Sequence, residues 1–301
     1  MKFSFLVCFF LGIISNAISQ ALVLATYQYA DNDRIANIQP LADHLSRGLG
    51  LSVETKSYPT VHRLIQAIQD HEVDIALINT FGYLLLDASS KSYAMQPYSV
   101  LKVEDGAQDN YRTAVIARRD LAIDTISDIN RVAGHSKLGL VAIGSTSGNL
   151  VPRLILNASG IKDPETKFAS VAYIGNHKTT TDALLQGGVD IAAVGSTEYF
   201  NAMADPRKKE NIKLLWMSPE IPLGPILMHD RIGSDMRSGI IDLLLHLHTD
   251  HPAALESLKA AWSEAKQAEK FIPMDATYYD AFKRQLGSKE NMGEILRQFA
   301  N

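Results

Sequence analysis

The sequence predicts an α/β fold of two lobes, each a mixed sheet flanked by helices, joined by two crossing segments that act as a hinge. Apolar runs of strand length alternate with helical stripes between residues 22 and 229, the order expected of strands covered by helices. The block Val73-Asp74-Ile75-Ala76 recurs as Val189-Asp190-Ile191-Ala192, each copy after a helix and before a polar loop ending in Tyr83 or Tyr199. One supersecondary unit is therefore used twice. About 280 residues follow an amino-terminal leader, more than one hydrophobic core usually serves.

The leader has Lys2, an apolar stretch over 3–14 and small polar residues over 15–20, the layout of a secretory signal peptide, placed at 1–19. Its apolar core is too short for the ~20 residues of a membrane-spanning helix. The single cysteine, Cys8, lies inside it without the small residues that precede a lipoprotein cleavage site. The exported chain is then cysteine-free, and both lobes rest on packing rather than disulfides. Lysine and arginine number 29 against 33 aspartates and glutamates, a formal charge of −4, which argues against nucleic acid as a partner.

In the first lobe a strand at 22–26 precedes a helical stripe of Ile38, Leu41, Ala42, Leu45 and Leu49, closed by Gly48 and Gly50. A strand at 51–57, a helix carrying Val61, Leu64, Ile65 and Ile68, and a strand at 73–78 complete a β-α-β-α-β unit with parallel strands. The chain crosses near Tyr111. Strands at 113–117 and 138–143, a helix at 150–158, a strand at 168–174, a helix at 180–185 and a strand at 189–194 repeat the order. A strand at 214–217 runs into Ser218-Pro219-Glu220-Ile221-Pro222-Leu223-Gly224-Pro225, which has no helical option and crosses back before a strand at 226–229. The remainder reads as helices at 240–247, 253–265 and 278–286, with Phe271-Ile272-Pro273 between. The lobes are thus 20–112 with 226–301, and 113–225. Two crossings make a cleft that can close, and ligands of open α/β sheets sit at strand carboxyl ends.

The sharpest local signal is Gly144-Ser145-Thr146-Ser147-Gly148-Asn149, followed by Pro152. Proline is harmless only in a first helical turn, so the helix is expected to start near Gly148 or Asn149. Amides from Thr146 to Asn149 and three hydroxyls then point out of the helix start as an anion cradle. Charge-assisted hydrogen bonds contribute ~1.5–3 kcal/mol each and the helix dipole ~0.3–1 kcal/mol, so the bonds decide affinity. The same residues also suit an ordinary serine-rich cap. No lysine precedes Arg153 as a P-loop requires, and Thr146 holds the place of a nucleophile-elbow serine, so no catalytic residue is assigned. His177, between a strand and a helix, could donate to an oxyanion. Glu198 and Tyr199 close the next loop of that lobe. Tyr58, Asn79, Thr80, Tyr83 and Tyr111 fall at strand ends or the crossing of the first lobe, where they could wall the cleft. His246, His248 and His251 suggest a metal, but 246 and 248 point to opposite sides of a helix, so no metal site is assigned.

Taken in order, Gln39-Pro40-Leu41-Ala42-Asp43-His44-Leu45, Tyr111-Arg112-Thr113, Gly144-Ser145-Thr146-Ser147-Gly148, Gly175-Asn176-His177 and Ser218-Pro219-Glu220-Ile221-Pro222 resemble the phosphonate-, phosphite- and phosphate-type periplasmic binding proteins of ABC importers. Phe271-Ile272-Pro273 leading to Tyr278-Tyr279-Asp280 extends the likeness to nearly the whole mature chain. The resemblance implies a type II periplasmic-binding-protein fold and a monomer in the periplasm, with no enzymatic turnover and no cofactor. It implies capture of a small oxyanion for the membrane permease of an ABC transporter; a sensing subunit feeding a membrane histidine kinase is the alternative role. It places Ser145, Thr146, Ser147 and His177 on the oxyanion, Tyr58 and Tyr111 in the cleft, and Glu198 before a substrate amine. Members that hold aminoalkyl phosphonates resemble Ile-Pro-x-Asp-Pro at the return crossing, where this chain has Gly224, which puts an amine-bearing ligand in doubt. Asn79-Thr80-Phe81-Gly82-Tyr83 differs from the commoner Gly-Pro-type loop and implies a reshaped distal pocket.

Overall fold

A computed structural model of the chain describes residues 21–29, 32–107, 111–275, 277–285 and 289–299. The leader expected at 1–19 lies outside the described residues. Among the described residues, eleven strands fall in two sheets. Chain order is β1 (Leu22–Tyr27), β2 (Val53–Tyr58), β3 (Ile75–Leu77), β4 (Met95–Val103), β5 (Thr113–Arg118), β6 (Lys137–Leu140), β7 (Ser170–Tyr173), β8 (Ile191–Gly195), β9 (Ile212–Met217), β10 (Pro225–His229) and β11 (Ala268–Pro273). The first sheet runs β11-β4-β10-β3-β1-β2 and the second β7-β6-β8-β5-β9.

In the first sheet β2, β1 and β3 are parallel, as the β-α-β-α-β reading predicts, while β10 and β4 are antiparallel to their neighbours. The second sheet repeats the scheme, with β7, β6 and β8 parallel and β5 antiparallel between β8 and β9. The helix Arg34–Leu49 buries the expected Ile38, Leu41, Ala42 and Leu45; Asp33 caps its start and Gly50, at φ 65°, ends it in the left-handed region. Thr60 caps the helix Val61–Gln69 in the same way, accepting from the amide of Arg63.

Two strands are absent from the sequence reading, β4 and β11, which pair with each other. In β4 Pro97 and Lys102 interrupt the alternation of apolar and polar residues, and β11 is an edge strand exposing Glu269 and Lys270. Neither carries the period-two signal of a half-buried strand. The tail is consequently less helical than expected: the helix Pro252–Ala260 stops before a short turn at Ser263–Ala265.

The two crossings hold one another. Ile221 donates its amide to Tyr111 O at 2.6 Å and Ser218 to Thr113 O at 2.9 Å, and Thr113 donates its own amide to Ser218 Oγ at 2.8 Å. The terminal helix Lys289–Gln298, grouped by sequence with the first lobe, reaches both. Phe299 packs edge-on against Phe81 of the first, with ring centroids 5.3 Å apart, and lies under the Arg153 guanidinium of the second at 5.4 Å. No helix among the described residues is long and apolar enough to cross a membrane.

Candidate functional site

The loop after β6 turns into helix earlier than proline placement suggests. Ser145 is the cap, its Oγ accepting from Gly148 N at 3.0 Å, and Thr146–Leu150 forms a single π turn before the helix Val151–Ala158. The sequence places the start near Gly148; the structure places it at Thr146. Pro152 is tolerated this deep because the carbonyl it cannot reach, Gly148 O, accepts instead from Val141 N at 3.0 Å. The Ser147 carbonyl next to it takes Thr113 Oγ1 at 2.9 Å. Amides of Thr146 and Ser147 open the first turn, where no intrahelical acceptor exists.

A second helix start faces this one from the other lobe. Asn79 caps the helix Thr80–Asp87, accepting from Gly82 N at 2.9 Å, while its Nδ2 donates across the cleft to Gly144 O at 2.9 Å. Phe81 N donates to Thr146 Oγ1 at 3.0 Å, and Thr80 Oγ1 bonds the Pro222 carbonyl of the return crossing. The segments read as loops at 79–83 and 196–199 are therefore helix starts. The two positive dipole ends approach each other across the cleft, joined by the Phe81 and Asn79 bonds, and raise the potential for an anion beside them.

Ser147 follows Thr146 in the same turn. It is wholly buried and its Oγ has no hydrogen-bond partner, although the hydroxyl of Tyr111 adjoins both Thr146 and Ser147. A methyl group at Gly195 would stand 3.5 Å from Ser147 Oγ and 3.5 Å from His177 Cε1, so both side chains border one small space kept open by the glycine. Asn176 caps the helix His177–Leu185, which makes His177 its first residue rather than a loop residue. Its Nδ1 accepts from Gly195 N at 2.9 Å. That bond leaves Nε2 as the protonated, donating nitrogen of a neutral ring.

Burial pushes the His177 imidazole down to about 4. An unfolded chain, in which histidine ionises near ~6.5, binds this proton first, so stability held above that pH is lost as pH falls toward the folded value. The melting temperature of the unliganded protein is expected to drop from pH ~6.5 to ~4, and His177→Gln to flatten the drop; parallel melts of both proteins across that range check it. An anion at Nε2 raises the ring's pKa and opposes the same loss.

Other candidates lie elsewhere. The Tyr58 hydroxyl donates to Glu72 at 3.0 Å beside Lys56, at an exposed position on edge strand β2. Tyr83 stacks on Tyr279 at 5.0 Å, facing Asp87 and Tyr93. Glu198, in the first turn of the helix Ser196–Ala204, faces Thr181, one turn behind His177, and burial holds its carboxyl above the usual range. His246 bonds within its own helix, to Asp242. Tyr29, which no motif singled out, adjoins Ser145 across the cleft, and the field of the Glu264 carboxyl reaches the hydroxyls of Tyr29 and Tyr111.

Two mixed sheets joined by paired crossings, with helix starts of both lobes meeting in the cleft, define a two-lobed solute-binding protein of type II. Residues 24–279 match the family model described as "ABC transporter, phosphonate, periplasmic substrate-binding protein". The chain belongs to that family. Among its relatives, a phosphonates-binding periplasmic protein of Escherichia coli is 25% identical over 258 residues, covering 84% of this chain and 74% of the relative. A probable ABC transporter phosphite-binding protein of Prochlorococcus marinus is 21% identical over 250 residues, covering 80% of each chain. A solved structure of the binding protein PhnD1 from Prochlorococcus marinus, in complex with methylphosphonate, superposes with a TM-score of 0.64 at 16% identity over 92% of this chain and 98% of the other.

Proposed function

We propose that this ABC-transporter component captures a small phosphonate- or phosphite-like oxyanion between its lobes in the periplasm and presents the closed form to a membrane permease. The single observation that carries the reading is the Ser147 hydroxyl, buried without a hydrogen bond where the Ser145-capped turn borders the first residue of the His177 helix. A buried hydroxyl without a hydrogen bond is destabilising by ~1–3 kcal/mol, and an oxyanion there removes that penalty. Thr146, Ser147, His177 and Tyr111 hold the oxyanion in this reading. Ser145 caps the turn that presents them, and Asn79 and Thr80 clamp the lobes. Tyr58 and Tyr83 act as packing and edge residues, and Glu198 supports the His177 helix. The relatives are named as transport components, which favours delivery to a permease over signalling to a kinase, and capture over turnover. The working form in this reading is a monomer.

Thermal unfolding against phosphite, methylphosphonate, aminoethylphosphonate, phosphate and sulfate tests it. A ligand at a hundred times its dissociation constant stabilises by ~2.7 kcal/mol, an expected rise in melting temperature of about 5–10 °C. No shift with any phosphorus oxyanion overturns the reading.

A further inference from the structure

One helix of the second lobe is shared between the cores of both. In the helix Val151–Ala158, Leu156 belongs to the second lobe's own core. Val151 and Leu154, with Leu150 just ahead of them, are buried instead in the core of the first lobe, together with Met292, Ile295 and Leu296 of the terminal helix. Residues two apart on a helix point to nearly opposite sides, so this helix can serve two cores at once. The terminal helix lies where the lobes meet, in contact with both Thr80–Asp87 and Val151–Ala158.

Phe299 follows that helix and touches the residues that grip the cradle turn from either side. Its ring meets the Phe81 ring of the first lobe and the Arg153 guanidinium of the second. Phe81 is the residue whose amide donates to Thr146 Oγ1 at 3.0 Å. Arg153 is buried and paired with Glu165, and its Nε donates to Asn149 Oδ1 at 2.8 Å. That bond turns Asn149 Nδ2 toward Ile143 O, at 2.7 Å, which closes the loop carrying Ser145, Thr146 and Ser147. Opening the cleft must break one of the two ring contacts, whichever lobe the terminal helix follows. It must also uncover apolar surface of Leu150, Val151 and Leu154, which opposes the motion. All of these contacts join protein groups, so they favour the closed arrangement whether or not an anion is bound.

We propose that Phe299 is a positioning residue that latches the two lobes together, sets the equilibrium between open and closed forms, and thereby scales the affinity for every oxyanion alike. The affinity part of the inference rests on the oxyanion reading above; the latch itself does not. Apparent affinity is the intrinsic affinity multiplied by the fraction of molecules in the closed form. A latch therefore acts on all ligands by one factor, whereas a group that touches the anion discriminates among them.

Small-angle X-ray scattering and titration calorimetry with phosphite and methylphosphonate, on wild type and Phe299→Ala, test this. Ligand-free Phe299→Ala is expected to have a larger radius of gyration than ligand-free wild type and to contract to the wild-type value when saturated. Its affinity is expected to fall by roughly 3- to 10-fold, the size of one lost contact between a ring and a guanidinium. The factor should be the same for both ligands, so the ratio of their affinities stays unchanged. A ring that only fills the core would lower the melting temperature and move neither the ligand-free dimensions nor the affinities. A ligand-free variant as compact as wild type, an unchanged affinity, or a loss that differs between the two ligands overturns the assignment. If wild type binds neither ligand, the oxyanion reading falls, and the ligand-free scattering by itself decides the latch. Should Phe299→Ala fail to melt cooperatively, Phe299→Leu carries the test: a smaller expansion supports the latch, and none overturns it.

Discussion

Ser147→Ala is expected to weaken binding of phosphite or methylphosphonate by roughly 10- to 100-fold, the loss of one hydrogen bond to a charged ligand. The same change should leave the unliganded protein at least as stable as wild type. Both signs follow from one fact: the hydroxyl is buried and has no partner in the protein. Alanine removes a desolvated polar group that contributes nothing to the fold until an anion arrives. Calorimetry and melting of the unliganded protein, run side by side, read the two effects separately. A variant that loses stability and affinity together would mean that Ser147 Oγ is bonded within the protein, and the oxyanion spot would have to be sought elsewhere.

Gly224→Ala is expected to destabilise the protein by about 3 kcal/mol or more, through overpacking against backbone that cannot rotate away. A Cβ at this position would lie 1.8 Å from Ile78 O and 2.6 Å from Asn79 Cα. β10 pairs with β3, whose carboxyl end leads to these residues, and the crossing is pressed onto them as it enters the sheet. At roughly 2–4 °C per kcal/mol, the melting temperature should fall by about 6–12 °C. Gly134→Ala is the control, since its Cβ meets nothing within 4 Å; it is expected to stay within about 1 kcal/mol of wild type. Binding should suffer as well, because Asn79 both caps its helix and bonds Gly144. An unchanged melting temperature would show that the crossing is free to move off the Ile78–Asn79 backbone.

Several features of the site are visible in the sequence because they depend on near neighbours. Hydroxyls followed by a helix with an early proline mark a helix start, and an Asn before a histidine marks another. Local pattern places both starts later in the chain than the structure does. Thr146 opens a π turn because Val141 N and, from a more distant strand, Thr113 Oγ1 occupy the carbonyls that surround the missing proline bond. Tyr58 and Tyr83 fall at strand ends in the sequence as Tyr111 does, yet in the structure one bonds Glu72 and the other stacks on Tyr279. No local pattern separates them, since the face a ring turns to is decided by partners far along the chain. Glu264 follows a tryptophan in a polar stretch and looks like any solvated glutamate.

The sequence alone determined the alternation of strands and helices, the twice-used unit, the two crossings and the family. Each rests on contacts within a few residues or on side-chain periodicity, which local chemistry dictates. Tertiary structure alone decided that β4 and β11 pair, that helix starts of both lobes converge, and that Ser147 Oγ and Tyr29 Oη are left without partners. Whether a buried polar group is satisfied depends on everything that packs around it, and here the surroundings come from segments far apart in sequence, as Phe81 and Thr146 are, 65 positions from each other.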